Sequence, residues 1–290
     1  MKKLLSFLLA LAMLVICCGC TQQPPSQIAA TTLPVYEFTS RLCEHTDLTV
    51  TRLVTENVSC LHDYSLNVRQ VRAAEAAELI VISGAGLEEF MEDLLHEKRV
   101  VDTSAGIGLL ECEEPHDHGD HDHHHDVDNH IWLSPENAKI MASNICAGLS
   151  NQYPEYTVIF QENLTQLLQQ IEQLQSYGEI QLADLSCREL VTFHDGFSYL
   201  ANSFGLTILE AVEEESGSEA SASELKHLIE EVEHHRLPAI FTEVNGSDSA
   251  ASVIARETGI PCYQLDMAMG GESWFDAMYH NINTLKEALK

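Results

Sequence analysis

Positive charge is what this 290-residue sequence has least of: Lys and Arg number 15 against 45 Asp and Glu, for a formal charge of −30. No basic footprint exists to grip a phosphate backbone, which excludes nucleic acid as a partner. The same field repels anionic lipid, so any membrane attachment has to be covalent or hydrophobic. Long apolar runs are also missing. The longest, residues 4–16, is broken by Ser6 and too short to span a bilayer. Neither an H-E-x-x-H helix nor a G-x-S-x-G elbow is present, which removes the two commonest hydrolase signatures. Disorder is excluded by the 45% hydrophobic content alongside only 21% charged residues. Cationic ligands are the natural partners of such a field.

Lys2 and Lys3 followed by the apolar run have the form of a secretory signal. It ends in Cys17-Cys18-Gly19-Cys20, where a small residue directly before a cysteine resembles a bacterial lipobox. Cleavage there makes residues 1–19 a signal peptide and Cys20 a lipidated N-terminus; ordinary secretion with cleavage nearby is the alternative. Residues 20–27, rich in Gln, Pro and Ser, read as a flexible tether. Six cysteines remain, Cys43, Cys60, Cys112, Cys146, Cys187 and Cys262, with no C-x-x-C among them. Cys43 and Cys60 flank one predicted strand, and either a bridge or buried free thiols fits.

From residue 28 short β-rich runs alternate with helical stretches. Strands are expected at 28–33, 48–54, 79–83 and 100–102, with helices at 35–43, 65–77, 87–95 and from Pro135 to about residue 149. Val68, Val71, Ala74 and Ala77 recur at helical spacing, and Ser134 before Pro135 is a good N-cap. A second series follows: strands at 189–193, 207–212, 239–244 and 262–265, and helices at 197–204, from the capping box Ser221-x-x-Glu224, at 249–258 and at 274–289. Alternation of this kind argues parallel sheets covered by helices, an α/β fold in two blocks of four βα units. The lobes are placed at 28–150 and 187–290. Between them, 151–186 holds a stretch rich in Gln, Glu and Leu, in which Leu164, Leu167, Leu168, Ile171, Leu174 and Gln175 trace one helical face over 156–185. A rigid connecting helix of about 30 residues would span about 45 Å.

Histidine is unusually frequent, at 15. His62 (CLHDYS), His130 (DNHIWLSPEN), His194 (VTFHDG) and Asp266 (YQLDMAMGG) each fall at a strand end or in a loop entering a helix. No local motif binds them together, but loops beyond the carboxyl ends of parallel strands converge on one crevice. Three imidazoles and a carboxylate suit tetrahedral Zn²⁺, whereas manganese prefers oxygen-rich sets; copper, nickel and cobalt stay open. Asp63, Asn129, Asp195 and Glu243 are candidates to fix imidazole tautomers. The segment 111–128 carries His116, His118, His121, His123, His124 and His125 interleaved with acids, a metal-binding composition in a stretch that could form no core. A second acidic stretch, 213–224, reads as a solvated loop. A competing function is a metal-dependent hydrolase, three histidines leaving one position for activated water and Glu243 or Asp195 acting as base.

The segments ATTLPVYEFTSRL, LHDYSLNVRQVRAAEAAELIVISGAGLE, DNHIWLSPENAKIMASNI, LVTFHDGFSYLANSFGL and IFTEVNGSDSAASVIARETGIPCYQLDMAMGGESWFDAMYHNINTL together resemble the metal-specific solute-binding lipoproteins of bacterial ABC importers. The resemblance runs in order through nearly all of the chain after the signal. It implies two lobes joined by a long rigid helix, with the metal between them on His62, His130, His194 and Asp266, and no enzymatic chemistry. Leu61 stands where the family usually has Pro. Manganese members of the family typically carry Glu at the position of His194, so the resemblance favours zinc. It further implies a monomeric, extracytoplasmic receptor anchored at the membrane, delivering Zn²⁺ to an ABC permease, with the histidine-rich loop capturing zinc weakly. A manganese receptor or an adhesin using the same site is the alternative.

Overall fold

The computed structural model describes residues 26–56, 61, 64–111, 127–211, 221–244, 246 and 249–290. The signal segment with Cys20, Cys60, His62, Asp63, and residues 112–126 with all six clustered histidines lie outside the described residues.

Two four-stranded parallel sheets are built among the described residues. The first comprises β1 (Ile28–Ala30), β2 (Val50–Arg52), β3 (Leu79–Ile82) and β4 (Val100–Asp102), ordered β2-β1-β3-β4. The second comprises β5 (Glu189–Thr192), β6 (Thr207–Ala211), β7 (Ile240–Glu243) and β8 (Cys262–Leu265), ordered β6-β5-β7-β8. Both therefore reverse direction beside their first strand, the position at which open parallel sheets form a crevice at their carboxyl ends.

Alternation along each strand divides the core. In the first sheet Ile28, Ala30, Leu79 and Val81 face one large cluster, while Ala29, Ile80 and Ile82 face a smaller one under the helix Val68–Ala76. In the second, Leu190 and Phe241 join the same large cluster, while Val191, Phe193 and Ile240 pack under Leu228 and Val232. One apolar interior is thus shared by both sheets. The helix Thr157–Gln181 runs through it, burying Phe160, Leu167, Ile171 and Leu174 on one face. At 25 residues it is about 38 Å long, shorter than the span expected from composition. A 3₁₀ turn at Pro154–Tyr156 precedes it and the chain leaves helical geometry at Leu182. Asn163 reaches from it to the carbonyls of Leu42 and Glu44, satisfying the open end of the helix Leu33–Leu42.

Several boundaries differ from expectation for identifiable reasons. β1 stops at Ala30 because the helix begins at Leu33 with Pro34 in its first turn. The helix after β2 starts at Val68, not Ser65, because Asn67 and Gln70 form a reciprocal capping box. Its buried positions are Gln70 and Ala74, and Val68 is exposed. The helix expected over 87–95 is a 3₁₀ turn, Glu89–Met91, then one α-turn, Glu92–Leu95. Here the chain leaves β3 through three left-handed residues, Gly84, Ala85 and Gly86. A Cβ on Gly84 would fall 1.9 Å from Asp102 Oδ1. The turn folds Glu88 inward, where its carboxylate accepts from Thr31 Oγ1, Ser83 N and Gly84 N at 2.6–3.0 Å. The expected caps Ser134 and Ser221 are both present. Cys43 is a free, buried thiol, the alternative to the bridge, and Cys60 lies outside the described residues.

Burial pushes the Glu88 carboxyl up to about 7 despite its three donors. A carboxyl raised in the folded state favours folding while protonated and loses that contribution as pH climbs from its unfolded value toward 7. Urea midpoints at pH 5 and pH 7.5 should therefore show the wild type losing stability relative to Glu88→Gln as pH rises; parallel behaviour would contradict this.

Candidate metal centre

His130 lies just beyond a single antiparallel bridge, Glu111 to Val127, and just before the 3₁₀ turn Ile131–Leu133. Asp128 shapes this corner. Its Oδ1 accepts from both the backbone N–H and the Nδ1 of His130, each at 2.8 Å. A carboxylate on Nδ1 fixes the proton there and leaves Nε2 as a lone pair. All three residues from Asp128 to His130 are buried. The corner is held from the second half of the chain by Tyr199, whose hydroxyl accepts from Leu110 N at 3.0 Å and donates to Asp128 O at 3.1 Å.

His194 follows β5, its carbonyl taking a bond from Thr192 Oγ1 at 3.1 Å. Its Nδ1 lies 3.9 Å from Glu243 Oε2, the last residue of β7. The rings of His130 and His194 meet edge to face, with centroids 5.5 Å apart and planes at 85°. Gly196 makes this approach possible. A Cβ there would sit 2.9 Å from His194 Cδ2, 3.0 Å from His130 Cε1 and 2.6 Å from Met267 Cε. Both ring carbons are bonded to Nε2, so the Nε2 edges of the two imidazoles lie about this glycine.

Asp266 follows β8 and is clamped by Asn281, which accepts from its N–H and donates to its carbonyl, both at 2.7 Å. Asp266 Oδ1 accepts from Ala268 N at 2.7 Å. The neighbouring Met267 carbonyl receives Trp132 Nε1 at 2.8 Å, tying the Asp266 loop to the His130 segment. Among the described residues no three His, Cys, Asp or Glu side chains are grouped closely enough to hold a metal, and His62 is not among those residues. The structure thus brings His130 and His194 together and ties the Asp266 loop to the His130 segment. Of the candidate tautomer-fixing residues, Glu243 lies near His194, Asp195 is exposed and Asn129 is buried. Asp128, which sequence reading passed over, is the partner of His130; the signal was an acid two residues before a histidine in a turn. Gly196, directly after His194-Asp195, was passed over as well.

Residues 28–288 match the family of the zinc-uptake complex component A, periplasmic (ZnuA). The chain belongs to this family. It is 28% identical to the zinc-binding lipoprotein AdcA of Streptococcus pneumoniae over 307 residues, covering 99% of this chain and 61% of AdcA. The chain thus spans about three-fifths of the length of that relative. A crystal structure of ZnuA superposes with a TM-score of 0.80 at 26% identity, covering 91% of this chain and all of that one. Zn(II)-bound AdcA from Streptococcus pneumoniae gives 0.77 at 25% identity, covering 91% and 57%. The ZnuA family comprises metal-binding receptors rather than enzymes, which sets the hydrolase reading aside. Among the described residues no helix is long and apolar enough to cross a membrane.

Nitrogen-15 spectra should show His130 held as the Nδ1–H tautomer in the wild type. In Asp128→Ala the ring should populate both tautomers; an unchanged spectrum would show that the carboxylate does not set it.

Proposed function

We propose that this chain is an extracytoplasmic receptor that binds Zn²⁺ through His62, His130, His194 and Asp266 and delivers it to an ABC permease. The observation that carries the reading is the edge-to-face pair of the buried His130 and the half-buried His194, one ring oriented by Asp128 and both turning Nε2 toward Gly196. Two imidazole edges so placed would hold a divalent cation only if further donors complete the set. His62, which lies outside the described residues, and the tethered Asp266 are the residues assigned to do so. The carboxylate would offset one of the two cationic charges in a buried setting, and the chain's charge of −30 would draw cations toward it. Histidine and carboxylate ligands bind metal only when deprotonated, so protons compete with the metal and acid weakens binding.

The histidine-rich segment would act as a weak collector, and Cys20 as the lipid anchor. Both assignments are supported by composition and by the likeness to a zinc-binding lipoprotein.

Elemental analysis of the protein as purified should find zinc rather than manganese. Single substitutions of His62, His130, His194 or Asp266 by Ala should each weaken zinc binding roughly 100-fold or more in a chelator competition, beyond the 10–100-fold typical of supporting residues. Tight binding retained by all of them would remove the assignment. Deleting residues 116–125 should lower the number of zinc ions bound in calorimetry while leaving the tightest one.

A further inference from the structure

The loop that carries Asp266 is built across the boundary between the two halves. At its start it belongs to the second, through the paired bonds of Asn281. Beyond that, alternate carbonyls are taken by donors from the first half. Trp132 Nε1 holds Met267 O, Arg52 Nη2 holds Met269 O at 2.5 Å, and Arg52 Nη1 holds Gly271 O at 2.8 Å. Arg52 Nε meanwhile donates to Val54 O at 2.6 Å, which orients the guanidinium against its own strand. All three nitrogens thus serve backbone carbonyls, in a chain with three acids for every base. A planar fork used this way fixes the course of a backbone instead of neutralising a charge.

The course it fixes is an unusual one. Ala268, between the held carbonyls of Met267 and Met269, has φ 56°, a left-handed conformation costly to a residue with a β-carbon. That conformation brings Ala268 N to Asp266 Oδ1. Without Arg52, the carbonyls of Met269 and Gly271 lose these donors, and the next hold on the loop is Glu37 at Ser273 and Trp274.

We infer that Arg52, at the end of the edge strand β2, is a positioning residue for Asp266: its fork on Met269 and Gly271 holds the loop in which that carboxylate is aimed, and so sets how long the bound metal stays. The inference rests on the assignment of Asp266 as a zinc ligand. It extends to release. If the halves part as rigid bodies, either the Arg52 bonds break or the Asp266 loop follows the first half and leaves Asn281.

The test is the rate of zinc loss from the loaded full chain, mixed with excess chelator in a stopped-flow instrument, for wild type, Arg52→Gln, Arg52→Lys, Asp266→Ala and the double variant Arg52→Gln/Asp266→Ala. Arg52→Gln should release zinc about tenfold faster or more, in the range seen when residues supporting metal ligands are removed. Coulomb's law predicts the opposite, since removing a cation near the site strengthens its hold on Zn²⁺. Arg52→Lys, retaining charge and one donor, should fall between the two. In the Asp266→Ala background the Arg52 substitution should add nothing. An unchanged rate in Arg52→Gln, or an equal acceleration with and without Asp266, overturns the inference while leaving the ligand set standing. Wild-type release from Asp266→Ala overturns the ligand assignment and the inference with it. The Glu37–Trp274 and Trp132–Trp274 bonds do not involve Arg52 and keep the halves joined in every variant.

Discussion

Two fully buried indoles hold this molecule's functional geometry in place. Trp132 donates to Met267 O and accepts, through its own carbonyl, from Trp274 Nε1 at 2.9 Å. Trp274 N is in turn taken by Glu37 Oε2 at 2.5 Å, so a carboxylate from the first half caps the helix Trp274–Ala288 of the second. A carboxylate at a helix N-terminus meets both unpaired N–H groups and the positive end of the dipole. Arg41 pairs with the same carboxylate and lies over the Phe275 ring, 4.7 Å from its centroid. Apolar packing around these bonds is continuous from Ile28 to Leu289. His130, two residues before Trp132, and Asp266, directly before Met267, therefore inherit their relative position from fully buried contacts.

The order of elements was legible because strands such as Leu79–Ile82 and Ile240–Glu243 are short runs rich in β-branched or aliphatic residues bounded by turn chemistry. The capping box at Ser221 and the Ser134-Pro135 start are local signals, and both are present. What local pattern could not supply was competition from distant partners. The segment 87–95 has helix composition, yet Glu88 is drawn inward by Thr31 and the turn after β3, and a regular helix does not form. Val68 fits a hydrophobic stripe, but Gln70 is the buried side chain because Leu53 O, directly after β2, supplies its partner.

The meeting of His130 and His194 was legible to a similar depth. The imidazoles stand out as chemistry at strand ends, and parallel topology explains why residues 64 positions apart, His130 and His194, come to share a corner. The supporting residues did not stand out. Asp128 closes the acidic segment 111–128, and Gly196 and Arg52 carry no local signal of their roles. Each has its role from where the fold brings a second residue, and one sequence does not display that.

The thiol of Cys43 has a chemical consequence of its own. Burial without a nearby cation raises it to about 12, so it stays protonated across the physiological range. A thiol that does not ionise is neither a nucleophile toward disulfides nor a ligand for soft metals. At this point the core therefore offers neither a nucleophile for disulfide exchange nor a soft ligand for a metal ion.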